Sequence, residues 1–147
     1  MTATIPNLWP DTFGEPPQWT PVAILKQQGI LLGQKTGNMV YGEVQSRVLP
    51  SGQFMHVLQI TAPLLAFRQA VAVVIHNVDL YPLSVGQAKP GDTHNQFGVP
   101  EMESEPQQVT SPEQFLTVLR SILQSEATTK LIRSLIAQST EPTPVES

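Results

Sequence analysis

Residues 39–85 read MVYGEVQSRVLPSGQFMHVLQITAPLLAFRQAVAVVIHNVDLYPLSV, and this stretch decides the fold. Val40, Val44 and Val48 fall on one side of a period-two pattern, with Tyr41, Glu43, Gln45 and Arg47 on the other. Alternation with β-branched residues is the mark of a half-buried strand. Pro50, Ser51 and Gly52 then supply a turn. Residues 53–61 resume the pattern with Phe54, Leu58 and Ile60 on one side. A turn centred on Ser51 places Val44 opposite Leu58, Val48 opposite Phe54, Glu43 opposite Gln59 and Arg47 opposite Met55. The two apolar faces then coincide, so the register is self-consistent.

Residues 62–69 form the next connection. The run 70–77 is apolar on both faces, as in an interior strand covered on both sides. Val71, Val73 and Ile75 point one way, Ala72 and Val74 the other. Residues 80–85 are a shorter strand, and Pro82, lacking an amide donor, suits an edge. The stretch predicts a four-strand antiparallel meander. Its inner face is made by Val44, Val48, Phe54, Leu58, Ile60 and Val74.

Working outward, Thr20 can cap a helix that has Pro21 at its first position and stops near Gly37. Ile24, Leu25, Leu31 and Leu32 give it an apolar stripe. Gly29 in mid-helix costs stability and points to a close approach to the sheet. On the far side, Ser111, Pro112 and Gln114 start a second helix with the stripe Phe115, Val118, Leu119, Ile122 and Leu123. Ser125 can cap a third, carrying Leu131, Ile132, Leu135 and Ile136 to about residue 138. The fold class is α+β: an N-terminal helix, the meander and two C-terminal helices in one domain over residues 20–138. Within it, residues 86–110 have almost no periodicity and are expected to be disordered or loosely packed. The proline- and acid-rich tail 139–147 is expected to be disordered.

Residues 1–19 hold both tryptophans and four of the fourteen prolines. Prolines forbid a regular helix here, while Ile5, Leu8, Trp9, Phe13 and Trp19 are too apolar for an ordinary disordered tail. The segment reads as an extended arm, packed either on its own domain or on a second subunit or other protein. Val71, Val73 and Ile75 on the outer sheet face also need a cover. Trp9, Phe13, Trp19, Val71, Val73 and Ile75 are therefore the candidate interaction residues, with the arm lying on that face.

Chemistry is sparse. The chain has no cysteine, which excludes disulfides, thiolate nucleophiles and sulfur-based zinc sites. A net charge of −4, from 12 acidic and 8 scattered basic residues, offers no phosphate-binding patch, so nucleic acid is not an expected partner. No apolar stretch approaches the roughly 20 residues of a membrane helix, and no secretory signal pattern opens the chain. A cytoplasmic location with no membrane partner is expected.

A second hairpin centred near Ala66 places His56 directly opposite His76 on the inner face, beside Ser46. Such a pair can bind metal or sense pH, but no Asp or Glu falls in register as a third ligand. Hydrogen bonding to each other or to backbone is the expected role. Asp92 and His94 in the long loop are candidate acid/base groups, without a nucleophile motif or phosphate loop to accompany them. Neither cofactor nor metal is expected. The reading is a non-enzymatic interaction or assembly module, self-associating, with a homodimer possible. The alternative is a small-molecule-binding domain or small enzyme with its site between the sheet and its covering helices.

Overall fold

The computed structural model describes residues 4–15, 19–91, 95, 96 and 98–140. Helix α1 (Pro21–Thr36) is followed by β1 (Tyr41–Val48), β2 (Phe54–Ala62), a 3-10 turn (Pro63–Leu65), β3 (Phe67–His76), β4 (Leu83–Gln87), β5 (Gln107–Val109), α2 (Pro112–Leu123) and α3 (Glu126–Thr140). The strands form one antiparallel sheet in the order β1-β2-β3-β4-β5. The class is α+β, with five strands rather than four.

The first hairpin has the expected register, Val44 against Leu58 and Val48 against Phe54. The second does not. Pro63 starts a 3-10 turn that ends on Ala66 at φ 50°, so Ala62 pairs with Phe67. Leu58 then pairs with Ala72 while Gln59 pairs with Ala70, which leaves Val71 as the extra residue of a bulge. His56 consequently faces Val74, and Phe54 faces His76. The fourth strand also starts later than expected. A cis Tyr81–Pro82 bond precedes it, and β5 covers it, so β4 is interior and Pro82 lies outside it.

All three helices lie on one face. Ile24 and Leu25 of α1, Phe115, Leu119 and Ile122 of α2 and Leu135 of α3 share one buried cluster with Val40, Leu58, Ile60, Val74, Leu83 and Val85. Thr20, Ser111 and Ser125 cap α1, α2 and α3 by accepting from the backbone amides of Ala23, Gln114 and Thr128. The α1 stripe turns on small residues: Gly29 and Gly33 are buried, whereas Leu31 is exposed. A Cβ on Gly29 would lie 2.7 Å from the carbonyl carbon of Gly42, so the helix rides directly on β1.

The outer sheet face is covered from within the chain. Several described residues of the segment 86–110 are held by backbone bonds. Ala88 bridges to Met102, the Lys89 amide donates to the Glu101 carbonyl, and the Glu103 amide donates to the Gln87 carbonyl. These bonds lay Ala88, Val99 and Met102, with Leu49, over Met55, Val57 and Val73. The last helix continues through Thr140; the remainder of the 139–147 tail lies outside the described residues.

Candidate functional site

Three features outside the plain core gather functional side chains. The first is the histidine pair. Although His56 and His76 are diagonal rather than opposite, both side chains stand on the helix face, and their Nε2 atoms are 2.9 Å apart. Diagonal neighbours across a strand pair remain within reach for ring side chains. His76 also stacks on Phe54 at 5.6 Å between centroids. Ser46 Oγ lies 2.7 Å from His56 Nδ1, and His76 Nδ1 reaches the Asn77 carbonyl.

A carbonyl can only accept, so His76 donates from Nδ1. With both rings neutral, His76 Nε2 then accepts from His56 Nε2–H, and His56 Nδ1 accepts from the Ser46 hydroxyl. The result is a one-directional chain, Ser46 to His56 to His76 to backbone, that stitches β1, β2 and β3 together. Burial holds His56 well below the ordinary imidazole range, at about 4, with the neighbouring His76 and Lys26 adding to the shift. Both Nε2 atoms point at each other. Among the described residues no group of three His, Cys, Asp or Glu side chains gathers to hold a metal. Asp92 and His94 lie outside the described residues.

The second feature is the arm. Trp9 is 72% and Phe13 77% exposed, and Ile5, Leu8 and Trp19 are exposed with them. The arm does not lie on the outer face. Val73 is fully buried beneath the chain's own loop, Val71 has turned at the bulge into the helix-side cluster, and Ile75 packs partly buried beside Val73. In the single chain Val71 and Val73 are buried and Ile75 partly so, and Ala88, Val99 and Met102 cover the outer face where the arm was expected. The root of the arm is held by the Tyr81 hydroxyl donating to the Trp19 carbonyl at 3.1 Å. Further out, Trp9 and Phe13 stand beside each other, 5.9 Å between ring centroids.

The third feature is a pair of depressions, the first of them between the sheet and its covering helices. An apolar groove of about 620 Å3 runs between the C-terminal half of α1 and the α2–α3 junction, over Leu31, Leu32, Leu58, Ile60, Leu123 and Ile132. Leu31, a member of the α1 stripe, is exposed at its edge and faces this groove. On the opposite face, a cleft of about 580 Å3 opens between β1, β2 and the loop residues Gly91, Gly98 and Pro100, with Arg47 and Arg68 on its walls. No helix among the described residues is long and apolar enough to cross a membrane. No family model, curated protein or solved structure matches the chain at a significant level.

Proposed function

We propose that the protein is a self-associating assembly module, in which the arm of one copy lies in the α1–α2–α3 groove of a second. The observation that carries this reading is the arm itself. Its large apolar side chains stand in water although the domain beside it has a filled core and a covered outer face. Aromatic rings bury roughly 150–250 Å2 each when docked, which is a large gain left untaken in the single chain.

The groove complements the arm in two ways. Its floor is leucine and isoleucine, open enough for an aromatic ring. Its charge is opposite: α1 carries Lys26 and Lys35 and no acidic residue, while residues 1–19 carry Asp11 and Glu15 and no Lys or Arg. The arm leaves the domain at the N-terminal end of α1, whereas the groove begins at Gln28. Reaching the chain's own groove requires a fold back of at least ~12 Å along the helix, while a two-fold partner receives an arm that runs outward. Reciprocal exchange buries two arms at once and closes the assembly at a dimer. Ordering some ten arm residues opposes the contact, so the association is weak and concentration-dependent.

Sedimentation velocity over a concentration series tests this. The native chain is expected to shift from monomer to dimer as concentration rises, while Trp9→Ala with Phe13→Ala, and separately Leu31→Glu in the groove, keep it monomeric. A chain that stays monomeric at millimolar concentration, or that dimerises undisturbed by both variants, would refute the reading.

A further inference from the structure

We infer that the cleft between Arg47 and Arg68, edged by Gly91, Gly98 and Pro100, is a binding site for a small carboxylate with an apolar or aromatic body. This site is on the face opposite the groove and is independent of self-association. Its volume, about 580 Å3, is that of a small-molecule pocket.

The charge is placed to receive an anion. Among the described residues Arg47 makes no ion pair and no hydrogen bond, and its guanidinium lies against the loop at Gly98. A Cβ added there would come within 2.9 Å of Nη2 and 3.1 Å of Nη1. The Gly98 backbone thus limits where the fork can sit, at a glycine whose φ of 76° already favours no side chain. Arg68 stands across the cleft in a loose pair with Glu43, 3.5 Å apart with both side chains well exposed. Among the described lining residues the formal charges are the two guanidiniums, and a guanidinium fork fits a carboxylate with two parallel hydrogen bonds.

The rest of the lining defines the body of the ligand. Met55 and Val57 form an apolar floor continuous with the buried outer cluster. Gln45 and Gln59 place amides beside the arginines, able to orient a second polar group. Cation, amides and apolar floor converge in one concavity, the arrangement by which small-ligand sites fix an amphipathic molecule.

The probe pair is phenylacetate and its neutral analogue phenylacetamide, with inorganic phosphate as a third titrant, each added to the isotopically labelled full chain. Phenylacetate is expected to shift the backbone amide signals of Gly91 and Gly98 saturably, in the millimolar range for so small a ligand. The amide is expected to bind at least about tenfold more weakly, because the charge-assisted bonds are lost. Arg47→Gln, a surface change that leaves the melting temperature alone, is expected to weaken phenylacetate by a similar factor, and Gly98→Ala, which displaces the guanidinium, to weaken it as well. No saturable shift up to about 10 mM, equal binding of acid and amide, or full binding by Arg47→Gln would overturn the inference. Tighter binding of phosphate than of phenylacetate would overturn the ligand class.

Discussion

Replacing Gly29 by alanine in the middle of α1 sets two effects against each other. In an exposed helix interior the change gains about 1 kcal/mol from propensity. Here the new Cβ would lie 2.7 Å from the carbonyl carbon and 3.0 Å from the Cα of Gly42. Carbon atoms pack at about 3.5–4.0 Å, so α1 must lift from β1 by roughly 1 Å. The obstructing atoms are backbone and cannot rotate away. Lifting the helix also loosens Ile24 and Leu25 from Leu58 and Ile60 in the same cluster. Overpacking of this kind costs roughly 1–3 kcal/mol, and a backbone obstacle puts it at the upper end. After the propensity gain, the net loss is expected to be about 1–2 kcal/mol. Urea unfolding followed by circular dichroism measures it directly, as a lower midpoint at an unchanged slope. Since a Cβ on Gly42 would lie 2.6 Å from Gly29 Cα, Gly42→Ala is expected to lose stability too, and the double variant not to recover it. A Gly29→Ala protein as stable as the native chain, or more so, would show that the helix does not ride on β1 at this contact.

Other perturbations probe the core and the histidine chain. Leu58→Ala removes a fully buried side chain between α1 and the sheet, and is expected to cost roughly 2–5 kcal/mol in the same assay; a loss under about 1 kcal/mol would contradict the register. Folded His56 ionises near 4 and the unfolded ring near 6.5, so the unfolded chain binds more protons between those values. Stability is therefore full above pH 6.5 and falls as the pH drops toward 4, by at most about 3 kcal/mol and less to the extent that water reaches the Ser46 end. His56→Gln is expected to flatten that slope, and an unchanged slope in the variant would assign the acid sensitivity to other groups.

The first hairpin was legible because alternation, turn residues and matching apolar faces all agree on one register. The helix starts were legible because serine or threonine caps stand directly before proline or the apolar stripes. Gly29 was legible as a close approach because nothing else explains glycine in mid-helix. The second hairpin was misjudged for a local reason. A run apolar on both faces does not reveal a bulge, and Val71 moves faces without changing the pattern. The histidines nevertheless meet, since two rings span a diagonal as well as a direct pair. The loop over the outer face was invisible because Ala88, Val99 and Met102 are spread singly among polar residues, and their order comes from backbone bonds to β4 and Glu101. The cleft was invisible for the same reason, since the loop that makes it was not legible. The arm's apolarity was plain, but where it lies depends on a cover that the loop had already supplied.

The two tryptophans of the chain, Trp9 and Trp19, both belong to the arm, so intrinsic fluorescence reports on the arm alone. Emission recorded while the protein is diluted from millimolar to submicromolar concentration tests the exchange most directly. Arm exchange expects emission characteristic of buried rings at high concentration that shifts to that of water-exposed rings on dilution, with a midpoint matching the sedimentation transition. An emission maximum that stays at the water-exposed position at every concentration, or at the buried position down to the lowest, would contradict it.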